Sequence, residues 1–256
     1  MKTFLAATLA LAATAAAAAE PEIWRFHGYA YDLETNKYLY TEVHEQYVDT
    51  EHDRWLRGIV DYFGPDGSHI GHKTLDFAND PTVPVYRMEQ FDLGRVEAIT
   101  DNRDPIQMLI KVSRDKSEKT GSLPNKGALA ADSGFHMFIR THFDEILKGD
   151  SVKFAFVAAP ELDHFRFKMF RVADGQFEGK PAVTIRVEPA SMLSWIVDPL
   201  VLLYDEASKR LLEFRGISNI HDPKSGKPYN VRISYASEPP ADAPKPLPPL
   251  SGPERR

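Results

Sequence analysis

The chain has 256 residues, of which 43% are hydrophobic and 11% aromatic, and it contains no cysteine. It carries 31 Lys and Arg against 37 Asp and Glu, which gives a formal net charge of −6. An acidic chain is a poor candidate for nucleic-acid binding, and one without cysteine has neither disulfides, thiolate chemistry nor a lipid-modified cysteine. The composition predicts a globular protein with a buried core and no nucleic-acid partner.

The first nineteen residues have the layout of a secretory signal peptide. Lys2 gives a positive start, Phe4–Ala13 is apolar, and Ala17–Ala19 supplies small residues for cleavage. The apolar stretch is too short to remain as a membrane-spanning helix, and no later stretch approaches about eighteen apolar residues. We therefore predict a periplasmic, soluble protein with no integral membrane segment.

Alternating patterns typical of β-strands dominate from residue 22 to about residue 112. Two such patterns flank the sequence GPDGS, a strong turn signal because Gly67 can adopt the positive φ of a tight turn. We predict a hairpin over Arg54–Phe77. The polar segment Ser113–Ala131 shows no pattern and is expected to be a long loop. Strand patterns resume near Val152 and continue to Ala236, with a turn at Asp205–Lys209.

One helix is predicted at Asp132–Lys148, because apolar residues recur there at spacings of three and four. Its apolar stripe comprises Phe135, Phe138, Ile139, Phe143, Ile146 and Leu147. The predicted fold is mainly β: a curved antiparallel sheet, forming an open or nearly closed barrel, with one principal α-helix. Residues 20–237 would form a single domain. Residues 238–256, which hold seven of the nineteen prolines, are expected to be an extended, solvated, disordered tail.

Long antiparallel strands combined with one apolar-faced helix resemble the periplasmic lipoprotein carriers of the Lol type. In those carriers a half-barrel sheet wraps a helix, and acyl chains are sheltered between the two. The segment SMLSWIVDPLVLLYDEASKRLLEFRGISNI also resembles that of exported bacterial proteins of unknown function. The resemblance to the carriers spans Glu22–Ala236 and implies a lipid or lipoprotein ligand.

A gap between the helix and the sheet would form an apolar groove for an acyl chain. Its predicted lining is Phe135, Phe138, Ile139, His142, Phe143, Phe165 and Phe167. Each buried methylene contributes about 0.8 kcal/mol, so even a narrow groove would bind lipid. The favoured function is binding or carrying an apolar or amphiphilic envelope component. The alternative is a fully packed core, which suits a structural or interaction protein with an envelope protein partner.

A row of basic residues alternates with apolar ones on the later strands. Its members are Arg166, Lys168, Arg186 and Arg232. If the strands are neighbours, the row forms a positive stripe for an anionic headgroup or a partner surface. The other interpretation is a solvated outer face whose cations pair with acids such as Glu188.

The nine histidines raise the question of metal binding or catalysis. On a strand, His69 and His72 are three residues apart and are expected to point to opposite faces. On a helix, His136 and His142 do not share a face. No metal site and no cofactor are therefore predicted. A hydrolase of envelope polymers using His136, His142 or His164 is a second alternative, although the chain has no G-x-S-x-G motif.

Overall fold

The computed structural model describes residues 20–190 and 199–255. The strands before the helices are β1 (Glu22–Asp32), β2 (Tyr38–Asp49), β3 (Arg54–Phe63), β4 (His69–Asp76), β5 (Val85–Gln90), β6 (Arg95–Asp101), β7 (Ile106–Lys111), β8 (Lys119–Leu123) and β9 (Leu129–Ala130). The helices α1 (Gly134–Thr141) and α2 (Phe143–Leu147) follow. The later strands are β10 (Val152–Ala158), β11 (Asp163–Phe177), β12 (Lys180–Pro189), β13 (Leu200–Asp205), β14 (Leu211–His221) and β15 (Pro228–Ser234).

These strands form one curved sheet in the order β8-β7-β6-β5-β4-β3-β2-β1-β15-β14-β13-β12-β11-β10-β9. Neighbouring strands are antiparallel, except that β9 runs parallel to β10. The sheet is not closed by hydrogen bonds, because β8 and β9 are its edges. Between these two edges Leu162, which precedes β11, packs closely against Gly121 of β8. A Cβ placed on Gly121 would lie 2.9 Å from Cβ of Leu162. The predicted mainly β, open-barrel architecture is confirmed.

The antiparallel order brings the β2–β3, β4–β5 and β13–β14 connections to one end of the sheet, which we call the helix end. The backbone N–H of Ala131 donates to the carbonyl of Thr82 in the β4–β5 connection at 2.9 Å. Arg140 of α1 contacts Asp53 in the β2–β3 turn at 2.6 Å and the Ser208 carbonyl in the β13–β14 turn at 3.0 Å. The short helices are thereby fixed across this end.

Two predicted elements differ in detail from the structure. The helix expected over Asp132–Lys148 is divided at His142, whose N–H bonds to Ile139 at 3.1 Å as well as to Phe138 at 3.3 Å. This tighter turn ends α1 and lets α2 follow in a new direction. The segment Ser113–Ala131 contains β8 and β9 rather than only a loop. An edge strand exposed like β8 needs no hydrophobic alternation, since its backbone alone forms the ladder.

Buried side chains form two main clusters inside the sheet. One lies between the first strands and includes Tyr40, Tyr62, Met88 and Met108. The other packs the helices onto the inner face of β10–β13. Val231 and Ile233 belong to the first cluster, because β15 lies next to β1.

The segment after Ser237 contacts the outer face of β1, and this differs from the solvated tail expected from composition. The phenol of Tyr31 donates to Asp242 at 2.9 Å, and the His27 ring contacts the Pro248 carbonyl at 2.9 Å. Further along, Arg255 and Arg25 exchange backbone hydrogen bonds of 2.8 and 2.9 Å. Prolines that cannot join a sheet can still lie across aromatic side chains, and alternation gives β1 an aromatic outer face.

The predicted signal peptide falls on residues 1–19 and the apolar segment SMLSWIV on residues 191–197. Both lie outside the described residues, so export stays a prediction. Across residues 20–190 and 199–255, none of the helices has the length and apolar character needed to cross a membrane.

Candidate functional site

A cavity of about 1830 Å³ lies inside the curved sheet, between the helix-packed strands and the strands β2–β6. Its lining includes Val112, Phe165 and Ile217, which are each between 46% and 49% exposed, so the cavity reaches the surface. Pockets for small molecules usually measure roughly 300–1,000 Å³. This cavity has room for a larger ligand.

One wall of the cavity is apolar and largely aromatic. It consists of Phe135, Phe154, Phe156, Phe167, Val187, Leu202 and Phe214. The ring of Phe135 stacks on Phe154 with centroids 5.1 Å apart and meets Phe156 edge to face at 6.0 Å. Alternation on β10 and β12 aims these side chains inward, and α1 adds Phe135 from the helix end.

Another wall of the cavity carries buried charges. Nζ of Lys73 donates to both carboxylate oxygens of Asp132 at 2.9 and 3.2 Å. On β6, Nη2 of Arg95 donates to Glu97 at 3.2 Å, and Asn219 donates to the other oxygen of Glu97 at 2.7 Å. Burial raises the pKa of Glu97, and Arg95 and Asn219 only partly oppose this effect. The cavity is therefore amphiphilic, with an aromatic wall and a charged one.

A second polar group in the lining is centred on Glu42. Its Oε2 accepts from the hydroxyl of Tyr235 at 3.1 Å and lies 2.8 Å from Nε2 of His44. The ring of Phe26 stacks on His44 with centroids 4.6 Å apart. These contacts hold a buried carboxylate in an aromatic setting beside the cavity.

The seven residues predicted for the apolar groove divide into two groups. Phe135, Phe165 and Phe167 line the cavity. The remaining four, Phe138, Ile139, His142 and Phe143, are absent from the described lining. Phe138, Ile139 and Phe143 are instead buried between the helices and the sheet. His142 lies at the break between α1 and α2, where its partly exposed ring pairs with Glu145 at 3.2 Å.

The predicted basic row lies mainly on the outer face and is interleaved with acids. Lys168 and Arg186 both pair with Glu188, at 3.1 and 2.9 Å. Arg232 pairs with Glu213 at 3.4 Å. Arg166, whose side chain is exposed, lies at the edge of the cavity lining. These ion pairs match the interpretation of a solvated face with acidic partners.

The histidines considered for metal binding or catalysis occupy different environments. His69 and His72 both contact Asp61, at 2.9 and 2.8 Å, so the expectation that they point to opposite faces is wrong. A register shift after Tyr62 explains this, because it displaces His69 relative to the alternating pattern. Within the described ranges, no three His, Cys, Asp or Glu side chains are arranged to hold a metal ion.

His136 and His164 both line the cavity. His136 is partly buried and lies between the rings of Trp55 and Tyr204. Desolvation, followed by the nearby charge of Arg140, lowers its pKa to about 3. His164 lies 3.3 Å from Asp163. None of the hydrogen bonds described for the chain joins His164 to a nucleophile.

The charged wall is the feature that the sequence analysis missed. On β6, Arg95 and Glu97 occupy the same face as Ile99, and all three are buried. On β4, Lys73 similarly shares a buried face with Leu75. The sequence does contain a signal for this wall: charged residues stand at the apolar positions of alternating strands. Such residues are rarely buried unless they are paired, so they indicate buried ion pairs.

Comparisons with known proteins give one structural likeness. No family model matches the chain, and no curated protein matches it. The chain is similar to a solved beta-barrel-like protein of a domain of unknown function, DUF1849, from Brucella abortus, with a TM-score of 0.44 and 10% identity. The alignment covers 85% of this chain and 98% of that one. The resemblance to Lol-type carriers stays a prediction.

Proposed function

We propose that the protein is exported and binds an amphiphilic, lipid-like component of the cell envelope inside the sheet. The observation that carries this proposal is the cavity of about 1830 Å³, whose lining has both an aromatic wall and a charged wall. An acyl or alkyl chain would lie against Phe135, Phe154 and Phe167, and its polar group would lie toward β4 and β6.

Elementary energetics support this assignment of the two walls. Each methylene removed from water contributes about 0.8 kcal/mol, so a medium-length chain alone supplies several kcal/mol. A polar group is stable in such an interior only when it finds hydrogen-bonding partners. The Lys73–Asp132 and Arg95–Glu97 pairs supply charged partners. The amphiphile fits this pair of walls better than a purely apolar molecule does.

The cavity favours this proposal over the packed-core alternative. A structural protein of the envelope needs no continuous internal space, whereas a carrier does. The exposed aromatic ring of Phe165 at the lining gives an entering chain an apolar contact.

Titration with the neutral fluorescent probe N-phenylnaphthylamine tests the proposal, using protein first extracted with organic solvent and refolded. We expect saturable binding that weakens at least about tenfold in Phe165→Asp, because a charge would replace apolar contact at the lining. Val172→Asp is the matched control: Val172 is 47% exposed on the same strand, against 46% for Phe165, but it does not line the cavity. Absence of saturable binding to the wild-type chain, or equal weakening by both variants, would contradict the proposal.

A further inference from the structure

We infer that Arg95 binds the anionic group of the amphiphile, a carboxylate or phosphate oxygen, within the cavity. This inference rests on the proposed function and adds the chemical class of the ligand's polar group.

Arg95 is a cation with a spare donor in the cavity lining. Its side chain is nine-tenths buried, and Nη2 donates to Glu97 at 3.2 Å. Its Nε is also buried, but it has no hydrogen-bond partner among the described residues. A guanidinium presents several donors in a planar fork that matches the oxygens of a carboxylate or phosphate. Arg95 can therefore accept a second anionic partner.

Lys73 provides an internal contrast. Its ammonium contacts both oxygens of Asp132, at 2.9 and 3.2 Å, so this pair is already complete. Glu97, in contrast, divides its two oxygens between Arg95 and Asn219. Of the two buried cations on this wall, only Arg95 has an orphaned nitrogen in the described structure.

The charge of the lining also favours an anion. The described lining residues include seven Lys or Arg against five Asp or Glu. The whole chain shows the opposite balance, with 31 against 37. A cavity more positive than the protein around it attracts negatively charged ligands.

Displacement of N-phenylnaphthylamine by four twelve-carbon amphiphiles tests the inference: dodecanoate, dodecyl phosphate, dodecanol and dodecyltrimethylammonium. We expect one or both anions to bind at least about tenfold tighter than dodecanol, as charged hydrogen bonds in a buried site allow. The stronger of the two anions identifies a carboxylate or a phosphate as the preferred group. Preference for dodecyltrimethylammonium, or equal affinity for all four, would overturn the inference.

Variants assign the preference to Arg95. In the double variant Arg95→Met/Glu97→Gln, which removes the ion pair without leaving a buried lone charge, the preference for the anion should fall to within about twofold of dodecanol. Arg87→Met is the matched control, since Arg87 lies on the neighbouring strand with an exposed side chain paired to Glu89. Glu97→Gln alone should tighten anion binding several-fold, because it removes the acid that competes for the guanidinium.

The outcomes also separate the two proposals. If dodecanol and N-phenylnaphthylamine bind but the double variant keeps its full preference for the anions, the Arg95 subsite is wrong and the amphiphile-binding function stands. If the probe does not bind, or if it binds and none of the four amphiphiles displaces it, the proposed function fails, and the subsite fails with it.

Discussion

His136 and Tyr204 join the first helix to β13: the ring Nδ1 of His136 lies 2.8 Å from the phenolic oxygen of Tyr204. The two rings are also stacked, with centroids 5.3 Å apart and planes inclined by 12°. On its other face His136 stacks against Trp55 at 4.7 Å. One histidine thus links β3, α1 and β13 beside the cavity, in an environment where burial opposes protonation.

The first prediction concerns acid stability. The folded chain holds His136 with a pKa of about 3, below the ordinary value of 6.5, so below about pH 6.5 the unfolded chain binds a proton that the folded chain does not. Stability supplied by neutral His136 is therefore complete above this pH and falls as the pH is lowered toward 3. Between pH 7 and pH 5 the loss should be about 2 kcal/mol.

Urea denaturation of the wild type and His136→Phe at both pH values measures this contribution. Between pH 7 and pH 5 the free energy of unfolding of the variant should fall by about 2 kcal/mol less than that of the wild type. The variant should be less stable than the wild type at pH 7, because Tyr204 loses its hydrogen-bond partner. His52→Gln is the control, since the His52 side chain is 65% exposed. Parallel pH dependences for wild type and His136→Phe would show that His136 does not carry the acid sensitivity.

The second prediction concerns the buried Lys73–Asp132 pair, whose side chains are 6% and 2% exposed. Burial lowers the pKa of Lys73, but Asp132 outweighs this effect and the net shift is upward. Lys73→Met should lower the free energy of unfolding by about 3–5 kcal/mol, because it leaves the buried carboxylate of Asp132 without its counter-ion. Adding Asp132→Asn should restore much of this loss.

Arg87→Met, at an exposed ion pair, should cost less than about 1 kcal/mol in the same denaturation experiment. The double variant could instead lose as much free energy of unfolding as the two single variants lose together. That result would mean that Lys73 and Asp132 are not energetically coupled.

The third prediction concerns the contact between α1 and the β4–β5 connection. A Cβ at Gly134 would lie 2.3 Å from the Thr82 carbonyl oxygen and 2.4 Å from Cδ of Pro84. Gly134→Ala should therefore destabilise the protein by about 1–3 kcal/mol, although alanine favours helices over glycine by about 1 kcal/mol. Gly175→Ala is the control, because no atom lies within 4 Å of its added Cβ. Thermal unfolding of both variants checks the prediction, and equal midpoints would contradict it.

The fourth prediction concerns the segment after Ser237. Truncation there removes the partners of His27 and Tyr31 and uncovers the tyrosines of β1 and β2 that pack on Ala243. The free energy of unfolding should fall by roughly 2–3 kcal/mol. Tyr31→Phe, which removes only the bond to Asp242, should cost about 1 kcal/mol. Identical unfolding of the truncated and full chains would instead support the solvated tail expected from composition.

Much of the fold follows from local pattern. The hairpin over Arg54–Phe77 is confirmed as β3 and β4, because alternation and a glycine turn determine both the faces and the reversal. The turn predicted at Asp205–Lys209 likewise falls between β13 and β14. The strand β8 was not predicted, because an edge strand can form by backbone pairing alone, without an apolar face.

The site was less predictable than the fold. The sequence indicated the aromatic stripe of the helix, but it could not show that Phe138 and Phe143 face packed core while Phe135 reaches the cavity. That distinction depends on how far the helix lies from the sheet, which is a tertiary property. The charged wall depends on pairing between distant strands, such as Glu97 of β6 with Asn219 of β14.

Native mass spectrometry of the protein purified from its native cells tests the central claim most directly. We predict an additional mass that is released by organic solvent, that is identified as an anionic amphiphile, and that can be replaced by dodecanoate or dodecyl phosphate. The cavity beside Phe135 and Arg95 would then hold the released molecule. A bare chain mass, both as purified and after incubation with these amphiphiles, would contradict the account.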